Sequence, residues 1–380
     1  MLDLESIAEE FGTPTYVLDV DKAVENFLLL EEHLKCDHVI AYAYKANSEP
    51  ALVKALTREG AGATVPSSFG IKLAEWAGVP PDKTVLVGPS PSPQDLKEAV
   101  RYGATISLES ESEGRALRRL GGKFMVRINP GLEVGGHRSL ATGAKWSKFG
   151  LPPRRALALL RELKGSLEAL GFHMHIGSQI MDVKPYDMAL KMMAQLLSEE
   201  QVPIIDIGGG LGVPYEDGKP FPIEEFSKIV CTFAEEMGVT VFLETGRFIV
   251  ANAGYLLTRV NYVKEVDNVT WALVDAGMND FLRVALYGAR HRIIKLNGEG
   301  KLKKYKVAGP VCESADEFGE HELPEVKEGD YLAILDVGAY GFSMASRYNL
   351  RPLPAVVGVI NGQVKLLRRR ETFEEAIFPP

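Results

Sequence analysis

Residue types that do chemistry stand at the ends of apolar runs in this chain, or on its turns. Lys45 follows such a run in AYAYKAN, and His175 lies in HMHIGSQ with Ser178 just beyond. Gly208, Gly209 and Gly210 form the centre of DIGGGLG, while Glu244 and Arg247 end LETGR. Far downstream, GPVCESADEFG (309–319) sets a thiol beside a carboxylate, Cys312 and Glu313, among turn-forming residues. A lysine amine in a partly desolvated mouth loses its preference for the charged form and becomes a nucleophile. Consecutive glycines let backbone N–H groups approach an anion, as around a phosphate. The spacing is not the dinucleotide fingerprint, which would need glycine where Val213 stands. A lysine able to form a Schiff base, facing a phosphate loop, suggests pyridoxal phosphate. Glu244 could then keep a pyridine nitrogen protonated through a charge-assisted hydrogen bond, and His175 could lie flat against the ring.

Each residue also has a plainer reading when taken singly. A lysine at a strand end usually snorkels to the surface. Three glycines commonly make a tight turn, a histidine on an apolar strand is commonly a satisfied core residue, and Glu244 with Arg247 would make an ordinary strand-end ion pair. His173 shares the face of His175 by the period of two and receives no role. For Cys312, redox sensing and chance are both open.

These residues need a scaffold that brings strand ends together. Eight short runs fall between residues 38 and 247: 38–44, 61–65, 84–88, 104–109, 123–129, 171–177, 203–208 and 239–244. They are continuously apolar instead of alternating, as expected of parallel strands buried on both faces. Helical segments separate them, among them PQDLKEAVRYG, which Ser92 caps, Pro93 opens and Gly103 ends. The pattern predicts a (β/α)8 barrel, whose strand C-termini gather the chemistry at one mouth. Lys45, Thr64, Gly88, Glu109, Arg127, His175, the glycine loop and Glu244 all stand at those ends. From about residue 250 the pattern changes to strands without long helices and closes on AVVGVI-NG-QVKLLRR, a type I′ hairpin signal. TYVLDV (15–20) reads as a strand that joins this part. The expected organisation is an N-terminal segment 1–24 joining the β domain, a barrel over 25–250, and a β-sandwich or β-barrel domain over 251–380.

The bulk properties set outer bounds. The chain has 380 residues and a net charge of −8, which argues against nonspecific nucleic-acid or anionic-membrane binding. The three cysteines, Cys36, Cys231 and Cys312, are scattered, so neither a disulfide framework nor a metal-ligand spacing is expected. The first twenty residues are acidic and carry no continuous apolar stretch, and nothing approaches a membrane span, so a reduced cytoplasmic enzyme is expected.

Read as a set, YAYKAN, RINP, HRSLATGAKWSKFG, HMHIGSQ, DIGGGLG, ETGRFIVANAG, DAGMNDFLRVALYGA, GPVCES and GAYGFSMASRYN span about 300 residues in one order. In that order the chain resembles the fold-type III pyridoxal-phosphate-dependent amino-acid decarboxylases, most of all those acting on diaminopimelate. The resemblance implies an alanine racemase-like fold and pyridoxal 5'-phosphate carried on Lys45. His175 would stack on the ring, Ser178 and Gly208–Gly210 would hold the phosphate, and Glu244 would meet the pyridine nitrogen. It further implies substrate contacts from Arg247, Arg283, Tyr287 and Glu313, a proton donated by Cys312, and a Tyr340 that touches cofactor and substrate. The loop with Cys312 and the tyrosine would come from the partner of a head-to-tail homodimer. The implied reaction turns meso-2,6-diaminopimelate into L-lysine and CO2. A same-family decarboxylase of ornithine, arginine, a carboxylated polyamine or a carrier- or siderophore-linked amino acid is the alternative. Glu244 speaks against a racemase, whose pattern has arginine at the pyridine nitrogen. The chain departs from the family at TVPSSFG, where Thr64 and Gly70 occupy usually acidic positions, at ETGR and Arg283-Val284, which each lack a proline, and at Pro354-Ala355-Val356.

Overall fold

Short β-rich runs separated by capped helices leave the first half of the chain one economical arrangement, a parallel sheet closed on itself. The computed structural model describes residues 2–132, 143–145, 147–216 and 218–378. An N-terminal strand, β1 (Thr15–Asp19), precedes the barrel strands β2 (His38–Ala43), β3 (Gly62–Val65), β4 (Thr84–Val87) and β5 (Thr105–Leu108). The ring continues through β6 (Lys123–Ile128), β7 (Glu168–Met174), β8 (Ile204–Asp206) and β9 (Thr240–Leu243), and closes where β9 pairs with β2. Each corresponds to one run read from the sequence, with trimmed ends, and β7 begins earlier, at Glu168. Strands β3 and β5 are buried at every position, as expected when helices cover one face and the barrel interior the other. The helix Pro93–Tyr102 begins in a capping box between Ser92 and Asp95 and stops at Gly103, whose φ of 83° only glycine adopts cheaply.

Past the barrel come β10 (Gly254–Val266), β11 (Val269–Val274), β12 (Ile293–Lys295) and β13 (Lys303–Ala308). They are followed by β14 (Glu317–Leu323), β15 (Tyr331–Leu335), β16 (Ala355–Ile360) and β17 (Gln363–Arg368). With β1 they form a mixed nine-stranded sheet ordered β14-β13-β11-β10-β1-β16-β17, to which β15 adds by pairing with β10 and β12. TYVLDV does join this sheet: β1 runs antiparallel to β10 and parallel to β16. Alternation feeds two cores, with Tyr16 and Leu256 in one and Val17 and Leu257 in the other. Asn361 and Gly362 both have positive φ, 53° and 69°, as a type I′ turn requires. The sequence reading contains no strand at β14, because EFGEHEL buries only Phe318 and Leu323 and presents polar residues between them.

The chain divides into two units. One comprises Val24–Val213 and Pro220–Phe248; the other comprises Met1–Ala23, Pro214–Lys219 and Ile249–Pro380. The short segment 214–219 thus lies in the barrel's stretch of sequence but in the β unit. No helix among the described residues is long and apolar enough to cross a membrane. The loop 130–150, for which the sequence does not decide whether it acts as a lid, falls largely on residues 133–142 and 146, outside those described.

The cysteines require a correction. Cys36 and Cys231 are joined in a disulfide across 195 residues of sequence, and only Cys312 is free. Scatter along the chain misleads here because barrel closure brings its two ends together. Cys36 precedes β2, Cys231 lies on the helix Ile223–Met237 that leads into β9, and β2 and β9 are neighbours. A bond spanning so long a loop removes much entropy from the unfolded chain, on the order of 5 kcal/mol in the chain-entropy account. Thiol titration of unreduced, denatured protein is therefore expected to find one reactive cysteine, and three after reduction. Reduction should lower the thermal midpoint by several degrees in the natural protein and leave that of Cys36→Ser unmoved.

Candidate active site

The barrel delivers the expected side chains to its strand C-termini. Lys45 stands two residues past β2, His175 follows β7 directly, Gly208–Gly210 follow β8, and Glu244 follows β9 directly. The backbone beyond β2 is tied down on both sides, with the Ala43 N–H donating to the Thr245 carbonyl and the Tyr44 N–H to that of Thr64. The expected partial burial of Lys45 is not found. Its neighbours Tyr44 and Ala46 are buried, but Lys45 is exposed. The amine nonetheless acts electrostatically on His175, Asp206 and Glu244.

The glycine loop is packed too tightly for side chains. A Cβ on Gly208 would lie 2.5 Å from the Met174 carbonyl oxygen, one on Gly209 2.2 Å from that of Glu244, and one on Gly210 2.7 Å from that of Gly177. Two of its N–H groups are engaged within the protein: Gly208 donates to Asp206 Oδ1 at 2.8 Å and Gly209 to His175 Nδ1 at 3.1 Å. The Gly210 N–H has no partner among the described residues. Across the loop, Arg247 Nη2 donates to Ser178 Oγ at 3.0 Å, so the Ser178 proton is available to an outside acceptor. Arg247, expected to meet substrate, is thus placed beside an expected phosphate ligand.

The His175 ring is buried, and burial, then the charges of Lys45 and Arg127, hold its pKa well below the usual range. It is neutral, with Nδ1 accepting from Gly209 and the proton therefore on Nε2. Glu244 is only 3% exposed. Burial alone would neutralise it, but His173, then Lys45 and His175, hold its carboxyl well below the usual range. Asp206 goes the other way: burial and the adjacent Glu244 charge push it well above the usual range. One charged and one neutral carboxyl group therefore share the floor of the mouth, as two close acids must when water is excluded. Ligand-type atoms of His173, Asp206 and Glu244 all lie within 4.8 Å of one another. Glu244 Oε1 is buried without a hydrogen-bond partner among the described residues, an arrangement that calls for a further donor. Sequence reasoning passed over Asp206 and left His173 without a role, although the aspartate before GGG and the repeated histidine of HMH were both visible.

Two departures have local causes. Gly70 opens no space for an acid, since a Cβ there would lie 2.7 Å from Val65 Cβ. Thr64 is buried, and its hydroxyl reaches only the Ala41 carbonyl at 3.5 Å.

In the β unit, Arg283 is buried and held rigidly. Its Nη1 donates to His291 Nε2 at 2.9 Å, and its guanidinium lies 4.7 Å from the Tyr215 ring centroid. His291 Nδ1 donates in turn to the Leu335 carbonyl at 2.9 Å, which fixes its tautomer. Neither His291 nor Tyr215 figures in the sequence reading. Tyr287 lies half-buried, four residues after Arg283 on the same short helix. The Cys312–Glu313 loop is exposed but anchored. The Asp316 carboxylate accepts the N–H groups of Val311 and Met278, and Asn349 Oδ1 accepts that of Cys312. Glu313 accepts a hydrogen bond from the Tyr348 hydroxyl. Tyr340 has φ of 58°, a left-handed conformation that costs a bulky residue roughly 1–3 kcal/mol and commonly marks a functional site.

Barrel, glycine loop and unpartnered carboxylate together define a class, and sequence comparison reaches it independently. The chain belongs to the pyridoxal-dependent decarboxylases, whose pyridoxal-binding domain matches residues 20–251. Pyridoxal phosphate is therefore its cofactor, and the protein is a carbon–carbon lyase. Over its whole length it is similar to diaminopimelate decarboxylases. That of Aquifex aeolicus is 39% identical over 100% of this chain and 94% of its own. The Helicobacter pylori diaminopimelate decarboxylase complexed with L-lysine superposes with a TM-score of 0.94 at 34% identity, covering 98% of both chains. A lysine/ornithine decarboxylase from Vibrio vulnificus, complexed with putrescine, aligns with a TM-score of 0.83 at 25% identity over 95% of this chain and 98% of its own.

The glycine geometry can be tested directly. Gly209→Ala should displace Glu244 and weaken cofactor binding at least tenfold, measured by fluorescence titration, since overpacking of this kind costs about 1–3 kcal/mol. Gly165→Ala, with nothing within 4 Å of the new methyl, should leave it unchanged.

Proposed function

We propose that this enzyme removes one carboxylate from meso-2,6-diaminopimelate, giving L-lysine and CO2, and that it works in the cytoplasm as a head-to-tail homodimer with shared sites. The observation that carries the reaction class is Glu244 Oε1: a buried, charged oxygen with no donor among the described residues, under the influence of the Lys45 charge and packed against the glycine loop. Lys45 Nζ would carry the cofactor, His175 would offer a ring face to it, and Ser178, Arg247 and the Gly210 N–H would hold its phosphate. Pyridoxal phosphate supplies a conjugated ring that takes up the electron pair left when a carboxylate departs as CO2.

The chain's residues do the rest. Glu244 Oε1 holds the proton on the pyridine nitrogen, through a charge-assisted bond of roughly 1.5–3 kcal/mol. A neutral His175 adds no second positive charge beside that proton. Cys312 Sγ delivers a proton to the carbon that lost CO2, and the exposure of its loop suits a residue that serves the partner's site. Arg283, held by His291 and Tyr215, offers a preoriented guanidinium to the substrate's far carboxylate, and Glu313 takes the far ammonium. A substrate that is an amino acid at both ends matches that pair, which a simple diamine precursor would leave half unused. Tyr287 and Tyr340 complete the substrate contacts in this reading.

Four measurements check it. Borohydride reduction followed by peptide mapping should place the cofactor on Lys45; a label elsewhere would remove that assignment. Glu244→Gln should slow CO2 release about ten- to a hundredfold without unfolding the protein. Across meso-diaminopimelate, lysine, ornithine, arginine and carboxynorspermidine, CO2 release should be fastest from the first. Mixing inactive Lys45→Ala and Cys312→Ala proteins should restore part of the activity if sites are shared between subunits, and none if each chain builds its own.

A further inference from the structure

His173 is fully buried, yet the reaction as described gives it nothing to do. Its Nδ1 lies 2.7 Å from Ser107 Oγ on β5, and its Nε2 lies 3.4 Å from Glu244 Oε2 beyond β9. Strands β5, β7 and β9 alternate around the ring, and alternate strands are those whose inward side chains share one layer of a barrel. The three residues thus form a chain across the barrel interior beneath the mouth. We propose that His173 is a positioning residue for Glu244: its Nε2–H holds carboxylate oxygen Oε2, so that Oε1 is the oxygen presented to the pyridine nitrogen.

The tautomer follows from the partners. A serine hydroxyl can either donate to Nδ1 or accept from it. If Nδ1 carried the proton, the bare lone pair of Nε2 would face a carboxylate at 3.4 Å, an unfavourable juxtaposition in a water-free interior. With Ser107 donating, Nε2 carries the proton and faces Oε2. The present distance is a few tenths of an ångström beyond a good N–H···O bond, and such contacts commonly tighten when a ligand binds. As it stands, neither His173 Nε2 nor Glu244 Oε1 has a hydrogen-bond partner among the described residues, and Oε2 is the carboxylate oxygen that Nε2 faces. Asp206, whose Oδ1 is tied to the Gly208 N–H, stands beside the pair. Kept neutral, it brings no second negative charge to compete for the histidine proton.

The inference rests on the pairing of Glu244 with the ring nitrogen, and the experiment separates the two. His173→Leu, His173→Gln and the natural enzyme are each loaded with pyridoxal phosphate and with its analogue bearing carbon in place of the ring nitrogen. With pyridoxal phosphate, His173→Leu is expected to lower kcat about ten- to a hundredfold with KM little changed, the loss of one hydrogen bond to a charged group. His173→Gln, whose amide N–H reaches the position of Nε2, should recover most of it. With the carbon analogue, the natural enzyme and His173→Leu should turn over alike. Independently of turnover, ¹⁵N NMR of the cofactor-free protein should show the His173 proton on Nε2, and Ser107→Ala should weaken that preference. Full activity in His173→Leu, a deficit undiminished on the carbon analogue, or a proton found on Nδ1 would each overturn the proposal. A natural enzyme indifferent to the ring nitrogen would overturn the Glu244 pairing itself, and His173's part with it.

Discussion

Keeping a carboxylate charged inside a barrel is the constraint on which this structure turns. Removing an ion from water is expensive unless other groups replace its solvent. Around Glu244 the replacement is assembled from different strands: His173 from β7, His175 just past it and Lys45 beyond β2. Asp206, from β8, accommodates by staying neutral. No local stretch of chain could supply this set. A closed parallel barrel can, because it aims every strand end at one mouth, and the charge therefore depends on the whole ring being closed and in register.

The glycine loop shows how much packing one short sequence can settle. Its glycines are required first by the protein itself, since added methyl groups would meet the carbonyls beyond β7 and β9. The same closeness directs Gly209 at His175 and Gly208 at Asp206, so the loop fixes a tautomer and positions an acid within the protein itself. A glycine run chosen between turn and anion site turns out to be a joint between neighbouring strand ends.

Much of the fold was legible because eight uninterrupted apolar runs, with capping signals such as Ser92, Pro93 and Gly103, are local features. The strand ends therefore located Lys45, His175 and Glu244 without coordinates. What stayed hidden depends on contacts between distant segments. His291 and Tyr215 grip Arg283 from positions 8 and 68 residues away along the chain, and β14 lacks the apolar density that marks a strand. The exposure of Lys45 and the placement of Arg247 beside Ser178 were equally out of reach, because residue type does not encode which neighbour a long side chain will find. The cysteines failed for the same reason in its plainest form, separation in sequence standing in for separation in space.

That disulfide has a topological consequence. Linking the approach to the first barrel strand with the helix before the last makes the intervening chain a covalent circle. A single backbone cut at a loop inside that circle would open the chain without releasing a fragment. The two pieces would stay joined beside the β2–β9 seam, where the strands bearing Lys45 and Glu244 meet. The barrel would then retain its proximity of ends even when nicked, as a clasped necklace does when one bead's thread is cut elsewhere.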